Sequence, residues 1–224
     1  MICQDLQETE RMVAEGDWPA LTQRLMSAAG QLVQAGAEGL LLCSFSLHCF
    51  APEIAESIPV PLLHIVDVLA GEIGHDGRRV RLGVLGPSEA LVAGSLRERL
   101  TRGGRIRIVT PPTAEARRLD AMIFGQLSQG FSRPGAREEL KGIIAGLRRQ
   151  RVGTLVLTCP ELAELLTPED YVPTLFHAPE IHAVAAADWM LAPAGPARRR
   201  RGRPPRFRTQ ALPLNFHEPT ARPA

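Results

Sequence analysis

Between residues 19 and 35 apolar side chains return at Leu21, Leu25, Ala28, Leu32 and Val33, a helical stripe that stops at Gly36. The pattern then changes. Leu40-Leu41-Leu42-Cys43 is an unbroken apolar run behind Gly39, as expected of a parallel strand covered on both faces. A short helix is expected over 51 to 57. A second buried strand follows at Pro61-Leu62-Leu63-His64-Ile65, and a third from Arg79 to Leu85.

The same pattern then recurs. Residues 136 to 149 put Leu140, Ile143, Ile144 and Leu147 on one helical face, and Val152-Gly153-Thr154-Leu155-Val156-Leu157-Thr158-Cys159 is again a glycine and a strand ending in cysteine. A short helix from Glu161 to Leu166 leads to Val172-Pro173-Thr174-Leu175-Phe176-His177, which mirrors Val60-Pro61-Leu62-Leu63-His64. Each half reads helix, strand, Cys, helix, Val-Pro, strand, His. Such alternation predicts an α/β fold of two pseudo-symmetric, Rossmann-like halves with parallel sheets and crossover helices.

The halves start differently. The second opens with the strand Val80 to Leu85, a turn at Gly86-Pro87-Ser88, a helix near 89 to 101 and the strand Ile106 to Val109. Met1 to Leu6 matches only the last of these, so a strand is expected there, and the first half lacks its opening strand-helix unit. The boundaries that follow are 1–75 for the incomplete first half, 76–192 for the second, and 193–224 for a tail rich in Arg and Pro, which reads as disordered.

Composition adjusts this picture in two places. The net charge of +2 hides eight arginines against one glutamate in residues 193 to 224, which leaves a mildly acidic body. Arg201-Gly202-Arg203-Pro204 resembles the core of an AT-hook, but the body offers no wider basic face, so nucleic acid is not an expected partner except through the tail. The four cysteines lack the spacing of a structural zinc site. No leader or membrane span opens the chain, and a cytoplasmic location with reduced thiols is expected.

The chemistry centres on Cys43 and Cys159. Ligands of parallel α/β sheets settle beyond the carboxyl ends of the strands, and both thiols stand there. Each precedes a short helix whose N–H groups favour a thiolate, so each pKa is expected to fall from about 8.5 towards neutrality. If the halves face one another, one thiolate can take the α-proton of an amino acid while the other thiol returns a proton from the opposite face. A strand-terminal cysteine is ordinarily a packing residue; two at equivalent places in a repeat are less simply explained that way. Cys3 and Cys49, which have no counterpart, read as structural, and His48 and His64 as core histidines.

Gly36-Ala37-Glu38-Gly39 leading to Cys43-Ser44-Phe45-Ser46-Leu47-His48, then Pro61-Leu62-Leu63-His64-Ile65-Val66-Asp67, Thr158-Cys159-Pro160-Glu161-Leu162 and Glu180-Ile181-His182-Ala183, resemble in order the motifs of aspartate/glutamate racemases over residues 5 to 191. The resemblance implies an amino-acid racemase with Cys43 and Cys159 as its acid/base pair. It also implies no cofactor and no metal, a small amino-acid or carboxylate substrate, and a homodimer. Ser44, Ser46, Glu161 and His182 match substrate-binding positions, and Ser88 stands in for a threonine. Phe45, Pro87 and Pro160 depart from the pattern, and the chain reads as N-terminally truncated relative to the family. An inactive protein of the same fold that keeps a small-carboxylate pocket is the alternative.

Overall fold

The computed structural model describes residues 1–74, 77–88, 94–166, 170 and 174–192. The tail, the Val172-Pro173 pair and the start of the helix expected from 89 lie outside these residues. The chain opens with helices α1 (Leu6–Glu15) and α2 (Trp18–Gln34). The strand expected over Met1 to Leu6 is absent: Met1 to Asp5 form no regular element, and the Asp5 carboxylate accepts the Glu8 N–H at 2.9 Å to start α1 at Leu6. Asp17 caps α2 in the same way, with Pro19 in the first turn, where its missing N–H costs nothing.

Strand β1 (Leu40–Leu41) is followed by a 3-10 turn (Ser46–Phe50), α3 (Ala51–Ser57), β2 (Leu62–Leu63) and α4 (Ile65–Ile73). Both strands are shorter than their apolar runs predict. Among the described residues β1 pairs only with β2, and Leu41 is 39% exposed, so the expectation of a strand covered on both faces fails here. His64 leaves β2 early because its Nδ1 accepts the Val66 N–H and caps α4.

The second half is fuller. β3 (Val80–Leu85), α5 (Gly94–Thr101), β4 (Ile106–Val109), α6 (Thr113–Gly125), a 3-10 turn (Leu127–Gln129), α7 (Ala136–Arg149), β5 (Thr154–Leu157), a 3-10 turn (Glu161–Leu165), β6 (Thr174–His177) and α8 (Ala178–Leu191) follow in order. The strands form one parallel sheet in the order β4-β3-β5-β6. The helix predicted from Glu161 is thus a 3-10 turn.

Two layers of apolar side chains cover this sheet. On one face Leu85, Leu155 and Leu157 pack with Leu119 and Met122 of α6 and with Leu140, Ile143, Ile144 and Leu147 of α7. On the other, Leu82, Val84 and Val156 pack with Ile65, Val66, Leu69 and Phe45 from the N-terminal half. Each fully buried leucine contributes about 1.5–3 kcal/mol of transfer free energy, so this shared layer joins the two halves firmly. Arg99 of α5 adds a fork of two hydrogen bonds, both 2.6 Å, to Asp67 of α4.

Candidate active site

Strand order locates the site before any side chain is considered. The chain passes from β3 to β4 on one side and then returns to place β5 on the other, so connections diverge between β3 and β5. Beyond the carboxyl ends of two such strands a parallel sheet leaves a crevice. β3 delivers Gly86-Pro87-Ser88 to that place and β5 delivers Thr158-Cys159.

These two segments are tied together. Leu85 O accepts the Thr158 N–H at 2.9 Å and the Thr158 hydroxyl at 3.3 Å. Gly86 lies against Thr158 so closely that a Cβ on it would sit 1.8 Å from Oγ1. Only glycine fits there. Ser88 is held from the other side by Asp120 of α6, whose carboxylate accepts the Ser88 N–H at 2.8 Å and its hydroxyl at 2.6 Å.

Cys159 is buried, at 8% exposure, in the cluster that contains Leu85, Leu157, Leu162 and Leu165. The N–H groups of Leu162 and Glu161 favour its thiolate, but burial opposes it more strongly, and the Glu161 charge and the hydrogen bond to that side chain add to burial. The thiol is pushed up to about 12. This reverses the expected fall towards neutrality. The Glu161 Oε2 is shielded from solvent and has no hydrogen-bond partner among the described residues.

Cys43 lies past the end of β1 and is exposed. Ser44 and Ser46 beside it hold their hydroxyl oxygens 3.3 Å apart, both partly buried. Phe45 between them turns into the shared apolar layer. The loop is fixed by His48, only 1% exposed, whose Nδ1 contacts Ser44 O at 2.7 Å.

His48 begins a cluster of three histidines, with ring centroids 4.8 Å from His64 and 5.3 Å from His182. His182 of α8 reaches the Leu63 carbonyl through Nε2 at 2.9 Å, so it ties the second half to β2. Burial lowers the pKa of all three, His48 and His64 to about 3, and they are neutral at physiological pH. His48 and His64 are core histidines, as expected. Among the described residues no group of three or more His, Cys, Asp or Glu side chains could hold a metal ion, and no helix is long and apolar enough to cross a membrane. Cys3 is exposed and so does not pack as a structural cysteine, whereas Cys49 sits half-buried between two apolar clusters.

The family model for Asp/Glu/hydantoin racemases matches residues 3–191, almost all of the chain that precedes the tail. The chain belongs to this family. Its class of chemistry is that of a racemase, an isomerase. A Yersinia pestis protein described as a candidate Asp/Glu racemase is 32% identical, with a TM-score of 0.76 over 84% of this chain and 82% of that one. An aspartate racemase homologue from Pyrococcus horikoshii OT3 is 25% identical, with a TM-score of 0.66 over 76% of this chain and 74% of that one. The glutamate racemase of Aquifex pyrophilus, at 14% identity and a TM-score of 0.55 over 76% and 66% of the two chains, shares the fold.

Asp120, Thr158 and Arg99 are the residues of this region that sequence reasoning does not single out. Asp120 is 32 positions from Ser88, on the polar face of an ordinary amphipathic helix, and no spacing announces the contact. Thr158 stands next to Cys159, and its neighbourhood was the only signal.

Proposed function

We propose that this racemase inverts the α-carbon of a small amino acid by proton transfer between Cys43 and Cys159, without an organic cofactor. The observation that carries this reading is the equivalence of the two thiols in the duplicated fold. Cys43 leaves β1 and Cys159 leaves β5, each before a 3-10 turn, a parallel neighbouring strand and a helix whose N-cap is a histidine, His64 or His177.

The two thiols take unequal parts. With its pKa pushed up to about 12, Cys159 carries its proton at rest and is the acid. Cys43, exposed to solvent, is the base for the first encounter and must act as a thiolate. The C–H bond breaks with its electron pair left on carbon as an S–H bond forms at Cys43. The S–H bond of Cys159 then breaks as a C–H bond forms on the opposite face, leaving a thiolate beside Glu161. That thiolate is a strong base, so the opposite enantiomer is deprotonated from this side. The pair resets when Cys43 gives its proton to solvent and the Cys159 thiolate takes one up, or when the opposite enantiomer passes through the same steps in reverse.

Ser44 and Ser46, with hydroxyls 3.3 Å apart, suit the two oxygens of a substrate carboxylate. His182, with Nε2 committed to Leu63 O, supports the site by joining the halves. Free thiols at both positions fit a reducing, cytoplasmic compartment.

Incubation with D- and L-aspartate and D- and L-glutamate in heavy water tests the reading. The wild type is expected to wash deuterium into the α-position, and Cys43→Ser and Cys159→Ser to lose at least about 100-fold of that rate. Exchange that survives removal of both sulfurs would exclude the two-thiol mechanism.

A further inference from the structure

We propose that Asp120 is a positioning residue that sets the polarity of the substrate group Ser88 accepts, making the Gly86–Ser88 turn a receptor for the α-ammonium and not for a carboxylate. The inference rests on the proposed reading of the site as an amino-acid pocket, and it names which end of the amino acid meets the β3 side.

The hydrogen inventory decides it. A serine offers one N–H and one O–H, and here both are given to the same carboxylate, at 2.8 Å to Oδ1 and 2.6 Å to Oδ2. What remains on Ser88 Oγ is lone pairs. An oxygen in that condition accepts from an N–H donor and repels a carboxylate oxygen. The Asp120 charge, one hydrogen bond further back, acts in the same direction. The hydroxyls of Ser44 and Ser46 have no carboxylate to satisfy; they approach one another at 3.3 Å. The two sides of the site are thus sorted by hydrogen-bond polarity: donors by Cys43, an acceptor at the β3 turn.

The turn has little freedom to adjust. Gly86 is packed on Thr158, and Thr158 is bonded to Leu85 O, so Ser88 has a fixed relation to the residue that precedes Cys159. Asp120 therefore orients an acceptor on a turn that is packed against the segment carrying Cys159.

The Asp120→Asn variant tests this by inverting one hydrogen bond. Its amide N–H₂ donates to Ser88 Oγ, which frees the hydroxyl to donate. KM for aspartate or glutamate, whichever the wild type racemises, is expected to rise about 10- to 100-fold, the value of a charge-assisted hydrogen bond, with kcat changed far less. Binding of the des-amino analogues succinate and glutarate, followed by calorimetry, is expected to tighten. A purely structural Asp120 would lower the melting temperature of the variant and leave the ratio of amino acid to des-amino affinity unchanged; that outcome overturns the proposal.

Ser88→Ala keeps the N–H bond to Asp120 and removes only the acceptor, so it serves if Asp120→Asn does not fold. It is expected to weaken aspartate or glutamate binding and leave succinate and glutarate unaffected, and equal losses for both classes overturn the proposal. Because these affinities need no turnover, a wild type that binds with this preference yet exchanges no deuterium would defeat the racemisation mechanism and leave the role of Asp120 standing.

Discussion

A thiol enclosed by leucines and set beside a carboxylate keeps its proton, and the consequences for Cys159 reach beyond the acid role proposed for it. At pH 8 a group with a pKa of about 12 is thiolate in about one molecule in ten thousand. Iodoacetamide, which reacts with thiolates, is therefore expected to modify exposed Cys3 and Cys43 and to spare Cys159, with Cys159 labelling rising about tenfold per pH unit above that. Peptide mass spectrometry reads the order directly; early labelling of Cys159 at pH 8 would contradict the assignment. The position of both sulfurs was legible in the sequence because a repeat marks them. The direction of the shift at Cys159 was not, since the helix start after it is local whereas Leu85, which helps enclose it, comes from a strand far back in the chain. Charge partners have the same property. Asp120 reaches Ser88, and Arg99 reaches Asp67, each across 32 residues.

The elements with long, strongly patterned sequences form where their pattern places them, and the failures fall on short ones. α7 buries the predicted Leu140, Ile143, Ile144 and Leu147, α2 buries Leu21 and Leu25 and leaves Leu32 half-buried, and β3, β4 and β5 pair in register. β1 stops two residues before Cys43. An apolar run records the wish to be buried, but a strand extends only as far as its pairing does, and among the described residues β1 pairs with β2 over two residues. The N-terminal segment matches Ile106 to Val109 in pattern, yet Met1 to Asp5 form no regular element, and Asp5 caps a helix that starts at Leu6. Contacts between element ends are sharper than either pattern suggests, and Gly86 provides the measurable case. Gly86→Ala would drive a Cβ into Thr158 Oγ1, forcing apart the ends of β3 and β5. Overpacking of this kind costs about 1–3 kcal/mol, read as a fall in the urea midpoint. Thr158→Ala removes the obstructing hydroxyl, so the double variant is expected to lose less than the sum of the two single losses. Strict additivity would show that the two positions do not press on one another.

The two halves of the molecule are held together by apolar packing, by the Arg99–Asp67 ion pair and by neutral histidines, and the histidines shape its response to acid. His48 and His64 have pKa values lowered to about 3, by burial first and then by charge repulsion, from His64 and His182 when these are protonated for the one, from Arg99 and a protonated His182 for the other. In the unfolded chain each titrates near 6.5. Between these limits the unfolded state binds protons that the folded state refuses, so stability is complete above about pH 6.5 and falls as the pH drops towards 3. Each histidine contributes a slope of about 1.4 kcal/mol per pH unit, which amounts to about 2 kcal/mol apiece at pH 5. The loss is concentrated at the junction, because protonated His48 and His64 would repel one another at a centroid separation of 4.8 Å and sit beside the Arg99 charge. Urea denaturation at pH 7 and pH 5 measures the difference, and His64→Gln, which cannot titrate, is expected to remove about 2 kcal/mol of it. An unchanged pH dependence in that variant would mean that the acid sensitivity resides elsewhere. If the variant keeps its stability at pH 5 and also retains racemisation at pH 7, the histidine junction is a structural bond between the halves, in which His182 Nε2 meets the Leu63 carbonyl and His48 Nδ1 fixes the Ser44 carbonyl.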